Sequence, residues 1–357
     1  MTDDPGGDPA VDVAPPEPSP PPAGDEAARP RRRRRRWWLL LVPVAVVVVA
    51  LAYIPIPYFV LSPGPAENVF PLIHIRGHTV YPATGKLLLT SVFETTSRVT
   101  VYQALRAWID PTETVVPEHD ILAPGQSVQQ SVKVALSQMD TSKIDAAIVA
   151  LSKYAGYPQV HGRGALVEAV LDGTPAAGKL FAGDLITAAD GKPIADAAAL
   201  GTVIRAAGVG RALVFTVTAA GHTRSVRVAP VQPKDENHPI IGILSVDNFP
   251  FPLTISGGDI GGPSAGLMWT LGLVDVLTPG DLTHGHVVAG TGVIEPNGKV
   301  DPIGGIQQKV VAAERAGATV FFAPASETAD AQAVAHRMTI VSVRTYADAL
   351  SWLQAHR

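Results

Sequence analysis

Cysteine is missing from all 357 residues. No disulfide framework braces the fold, and no thiolate can complete a tetrahedral zinc site. The H-E-x-x-H signature of helix-borne zinc peptidases is missing too. His284-Gly285-His286 has a ligand-like spacing, but no Cys and no carboxylate set stands beside it, so it reads as structural. A complete phosphate-binding G-x-x-x-x-G-K-[ST] loop is also lacking. Gly257 and Gly262 are spaced for it, but Pro263 replaces the lysine that would reach the terminal phosphates. With metal, disulfide and nucleotide chemistry removed, no cofactor is expected.

Charge is sparse and unevenly placed. Asp, Glu, Lys and Arg make up 17% of the chain, and the net formal charge of −4 gives no general affinity for nucleic acid. The first 30 residues are rich in Pro, Gly, Asp and Ala with few large apolar groups, which predicts a disordered tail. Arg31 to Arg36 are six consecutive arginines, closing a tail over 1–36. From Trp37 to Ala66 no residue is charged, and Leu39 to Ala52 is almost wholly Leu, Val and Ala. That length predicts a single transmembrane helix over 37–60, since a span needs about 20 apolar residues. Trp37 and Trp38 would sit at one interface and Tyr53 and Tyr58 near the other, with Pro55 and Pro57 marking the exit. The arginine block then stays cytoplasmic, and the bulk of the chain, from residue 63, lies outside the cytoplasm at the cell membrane. Ala50-Leu51-Ala52 also fits a signal-peptidase site, and that route has the same destination.

What is present is a glycine-rich serine turn and a lysine out of place. Gly261-Gly262-Pro263-Ser264-Ala265-Gly266 precedes an apolar, helix-like stretch from Leu267 to Leu277. A serine there sits near a helix N-terminus, where free N–H groups and the macrodipole favour a developing oxyanion. The backbone N–H groups of Gly262, Ser264 and Ala265 are the candidates for that role. Serine needs a base, and no histidine is placed for it. Lys309 falls in one helical stripe with Ile306, Val310 and Ala313. Burial there disfavours the ammonium and lowers its pKa, so the amine can accept a proton near neutrality. Read blandly, the same residues are a tight turn and a surface lysine.

Two motifs in order carry a resemblance. Gly262-Pro263-Ser264-Ala265-Gly266, and Pro302-Ile303-Gly304-Gly305 followed by Lys309, resemble the Lon protease family, with Thr291-Gly292-Val293-Ile294 between them as a third match. The resemblance implies Ser264 as nucleophile, Lys309 as general base and Thr291 as the residue that orients the lysine. Two positions depart from the family pattern. Gly261 stands where many members carry an acidic residue, with Asp259 two residues earlier, and Val293 replaces a glutamate.

A second resemblance covers about residues 155–231. Gly164 to Val170, Thr174-Pro175-Ala176-Ala177, Ala182-Gly183-Asp184-Leu185-Ile186 and Asp190-Gly191-Lys192-Pro193-Ile194 resemble a bacterial PDZ domain. That fold implies binding of an extended peptide by β-augmentation, with the groove near Gly162 to Val167 and a helix from about Ala197. The fold expected is therefore mixed α/β (α+β): a Lon-type protease domain, 63–154 and 232–357, with a PDZ insertion. Helical segments are expected over Val132 to Met139 and Ile144 to Leu151. The function expected is an ATP-independent, membrane-tethered serine endopeptidase acting on protein or peptide substrates, with self-association left open. A PDZ scaffold without catalysis, or a protein that processes only itself, are the alternatives.

Overall fold

A computed structural model describes residues 38–234, 236–258 and 260–356, so the tail expected over 1–36 lies outside the described residues. The described residues divide into two units, with the split between Ala50 and Leu51. Helix α1 (Trp38–Tyr53) is 16 residues long, about 24 Å at about 1.5 Å per residue, against a hydrocarbon core of about 30 Å. Among the described residues no helix is long and apolar enough to cross a membrane. The expected span over 37–60 is corrected at its C-terminal end. The apolar run feeds two elements, and past Pro55 and Pro57 it enters a strand in which Phe59 and Val60 are buried.

Three stretches make up the second unit. The first holds β1 (Tyr58–Asn68), β2 (Ile73–Ile75), β3 (Lys86–Glu94), α2 (Val101–Ile109), β4 (Thr114–Pro117), the one-turn α3 (Glu118–Ile121) and α4 (Val128–Tyr154). Next come β5 (Gly162–Val170), β6 (Leu185–Ala189), β7 (Lys192–Pro193), α5 (Ala197–Ala207), β8 (Leu213–Ala219), β9 (His222–Val228) and β10 (Ile243–Asn248). The last holds β11 (Leu253–Ile255), α6 (Gly266–Leu277), β12 (Val287–Gly290), β13 (Val293–Ile294), β14 (Val300–Asp301) and α7 (Ile306–Arg315). It closes with β15 (Val320–Pro324), α8 (Thr328–Val334), β16 (Thr339–Val343) and α9 (Tyr346–Ala355).

The larger sheet has the order β16-β15-β12-β3-β1-β4. From β16 to β3 the neighbours are parallel, and β1 then pairs antiparallel with β3 and β4. Alternation of side chains splits its core into two layers. Leu87, Leu89, Val288 and Phe322 pack with α4, α6 and α9. Leu88, Ala289, Phe321 and Ala323 pack with α7 and α8. Strands buried on both faces need apolar side chains throughout, which is why β15 reads Val-Phe-Phe-Ala-Pro with every residue buried.

One continuous 27-residue α4 replaces the two helical segments expected. It opens with a capping box: the Gln130 N–H donates to Ser127 Oγ (3.3 Å), and the Ser127 N–H to Gln130 Oε1 (2.8 Å). The polar Asp140-Thr141-Ser142-Lys143 stretch inside it is accommodated locally. Lys143 pairs with Asp140 at 3.0 Å, and Thr141 Oγ1 donates to the Glu168 carbonyl of β5 (2.9 Å).

The smaller sheet, β10-β5-β6-β8-β9, is antiparallel and packs on α5 around Val167, Ile186, Leu200, Phe215 and Ile241. It takes in β10 and so runs to Asn248. The groove expected near Gly162 to Val167 is corrected. β5 is flanked on both sides, by β10 and β6, so no peptide can add to it. The open edge on that side belongs to β10.

Candidate active site

The Ser264 turn and Lys309 belong to opposite layers of the larger sheet. Ser264 precedes α6 on one face, and Lys309 lies on α7 on the other. They meet at the carboxyl end of β12, whose last residue is Gly290, and Thr291 is the first residue past that end. Carboxyl ends of parallel strands are where open α/β sheets leave room for chemistry.

The distances close a small network. Lys309 Nζ lies 2.7 Å from Ser264 Oγ and 3.2 Å from Thr291 Oγ1. Thr291 Oγ1 donates its proton to the Ser264 carbonyl (3.0 Å) and therefore accepts from Nζ. One N–H of the amine is thereby fixed, and a neutral Nζ can turn its lone pair toward Ser264 Oγ. The Gly292 N–H also donates to the Ser264 carbonyl (2.8 Å), and the Leu267 N–H to the Gly292 carbonyl (3.1 Å), so the turn is stitched to the segment after β12.

Lys309 is 3% exposed. Burial pushes its pKa down from the ordinary lysine value to about 7, and the Glu327 carboxylate opposes this only in part. Glu327 is itself raised by burial, while its Oε2 accepts the Ile303 N–H at 2.8 Å. No described carboxylate forms an ion pair with Nζ. Asp259 lies outside the described residues.

The turn itself needs its glycines. Gly262 has φ +87° and ψ 154°, a region open essentially to glycine alone. A Cβ on Gly266 would stand 2.6 Å from Ile294 Cγ2 and 2.8 Å from Ser142 Oγ. The letters Gly-Pro-Ser-Ala-Gly also fit the G-x-S-x-G spacing of a nucleophile elbow, but there a strand leads straight into the serine. Here β11 ends at Ile255 and Ser264 lies in a 3₁₀ turn, Pro263–Ala265.

Helix α4 holds the turn from outside. Ser142 Oγ donates to the Pro263 carbonyl (2.8 Å), and the Gly262 N–H donates to the Ala135 carbonyl (2.7 Å). Gly262 thus has its N–H engaged, which leaves Ser264 and Ala265 of the three oxyanion candidates. Sequence reasoning missed Ser142. Its signal was a serine spaced with Met139, Ala146 and Val149 on the buried side of a helix. A cleft of about 410 Å³ opens beside Ser264 and Lys309, lined by Glu67, Thr90, Val92, Phe93, Met139 and Ile260 among others. His284 and His286 lie away from this cleft, and among the described residues no group of three or more His, Cys, Asp or Glu could hold a metal ion.

Residues 257–353 match the Lon protease C-terminal proteolytic domain, and residues 139–229 match the PDZ domain. The Lon protease of Desulfosudis oleivorans is 44% identical over 73 residues, 20% of this chain and 9% of that protein. The Lon protease of Phenylobacterium zucineum is 46% identical over 69 residues, 19% of this chain and 8% of that protein. The chain thus spans less than a tenth of the length of these curated relatives. Among solved structures, the PDZ domain of the SdrC-like protein of Listeria innocua is 29% identical. The match covers 23% of this chain and 92% of that one, with a TM-score of 0.22. The two matched segments therefore carry a Lon-type proteolytic domain and a PDZ domain.

Proposed function

We propose that the chain is a serine endopeptidase that needs no ATP, with Ser264 as nucleophile and Lys309 as general base. The observation that carries this reading is a buried lysine amine 2.7 Å from a serine hydroxyl at the N-terminal side of a helix. Ser264 Oγ attacks the scissile carbonyl carbon as its proton passes to neutral Nζ. The negative charge on the carbonyl oxygen is met by the Ser264 and Ala265 N–H groups. The C–N bond then breaks, and Nζ returns the proton to the leaving amine. Water, deprotonated by the same Nζ, hydrolyses the resulting ester. Thr291 orients the amine through the bond described above.

Substrate docking has two open edges to use. β12 stops at Gly290 opposite Leu89, so β3 beyond Thr90 keeps β1 on one side and the cleft beside Ser264 on the other. An extended substrate can pair with that edge next to the nucleophile. In the PDZ part, the outer edge of β10 beside α5 takes a peptide tail by the same chemistry. The apolar α1 and the arginine tract before it serve as a membrane tether, with the N-terminus cytoplasmic and the catalytic unit outside. A helix somewhat shorter than the bilayer is accommodated by local thinning.

Labelling with a fluorophosphonate, followed by mass mapping of the adduct, tests the assignment. One adduct on Ser264, lost in Ser264→Ala, is expected. An adduct on another residue, or none on folded protein, would overturn it.

A further inference from the structure

Helix α2 is apolar on both sides. Its inner face contributes Ala107, buried with Val60 and Val99, and half-buried Ala104. On the outer side Tyr102 is 60% exposed, Leu105 52%, Trp108 81% and Ile109 77%. Steps of about 100° per residue gather these four into one arc of about 120°. Arg106, to one side of it, is tied to Glu113 at 3.0 Å. Contiguous exposed apolar faces on soluble monomers are uncommon and mark interaction sites.

What adjoins this face in the chain identifies its partner. The start of α2 is fastened to the residues that follow α1: the Val101 N–H donates to the Ile54 carbonyl, and Pro55 bridges to Thr100. Tyr53 and Ile54 are exposed as well, and the last turn of α1, from Leu51, belongs to the same compact unit as α2. α1 itself has no polar stripe, and Leu41, Val42, Val46 and Val49 are all exposed. A helix apolar around its whole circumference suits an apolar medium on every side, whereas a protein partner covers one stripe. A one-sided helix bearing Trp and Tyr suits the boundary of that medium.

We infer that the Tyr102, Leu105, Trp108 and Ile109 face of α2 rests on a phospholipid bilayer and seats the catalytic unit against the membrane. This rests on the reading of α1 as membrane-associated. Seated so, the protease acts on polypeptide segments that lie close to the bilayer.

The cysteine-free chain makes the test direct. Leu41→Cys, Trp108→Cys and His222→Cys are each labelled with nitrobenzoxadiazole in the full chain. Each is reconstituted in phosphatidylcholine–phosphatidylglycerol vesicles with or without a shallow doxyl-lipid quencher. Emission at positions 41 and 108 should fall about twofold or more, and emission at 222, on the far edge strand β9, should not. Quenching at 41 but not at 108 overturns the seat and leaves the reading of α1 standing. Quenching at neither removes both. Crosslinking between thiols of two Trp108→Cys chains in detergent would show that a second copy covers the face, which also overturns the inference. Retained labelling of Ser264 checks that each variant is folded.

Discussion

At the scale of residues, Lys309 is a group the fold tolerates rather than profits from. Its folded pKa of about 7 lies below the ordinary lysine value, so between those pH values the unfolded chain binds the extra proton. Stability therefore rises as pH climbs from about 7 toward that ordinary value, and the full penalty applies below about 7. Lys309→Met should stabilise the protein at neutral pH by roughly a few kcal/mol, with the gap closing toward pH ~10. Calorimetric melting of both proteins across that range checks it, and a variant less stable than wild type at pH ~7 would contradict it. Lys309→Arg keeps the charge but cannot accept a proton, so it should lose activity wholly while a structural ion pair would tolerate it. The lysine was legible in the sequence because a charged residue on an apolar helical stripe has few bland explanations. Glu327 was not, because its approach to Lys309 depends on how the α7–β15–α8 segment folds back on itself.

At the scale of elements, α4 decides how firmly the serine turn is held. Ser142→Ala removes the donor to the Pro263 carbonyl and leaves that carbonyl without its partner. We expect kcat to fall about tenfold with KM little changed, because the loss is one of positioning. Steady-state kinetics on a fluorogenic peptide would show it, and a change in KM alone would contradict the role. Gly262→Ala should cost roughly 1–3 kcal/mol through its backbone conformation, read as a lowered melting temperature. These elements were unevenly legible. The Leu267 to Leu277 helix and the strands β15 and β16 follow from apolar runs and turn residues. The join inside α4 was hidden because Asp140 to Lys143 reads as a polar break, although Ser142 is buried there. The end of α1 was hidden for the opposite reason, since one uncharged stretch supplies both a helix and β1. The pairing of β10 with β5 is a long-range choice that no local pattern specifies.

At the scale of the whole molecule, the proposed arrangement is a protease domain interrupted by a PDZ domain, with α4 packed against both α6 and β5. With Pro263 in place of a phosphate-binding lysine, peptide hydrolysis should be unchanged by ATP and magnesium, and a stimulated rate would count against the reading. Protease added outside intact cells with permeabilised outer barriers should digest the chain beyond residue 63 and spare an N-terminal tag. Digestion of the tag would reverse the topology. The most direct measurement is the rate of Ser264 acylation by a fluorophosphonate from about pH 5 to about pH 10, which needs no knowledge of the natural substrate. A neutral, desolvated Lys309 requires the rate to rise through a single ionisation near 7 and then level off. A rate that does not change with pH, or one that keeps rising to the ordinary lysine value of about 10.4, would contradict the dyad.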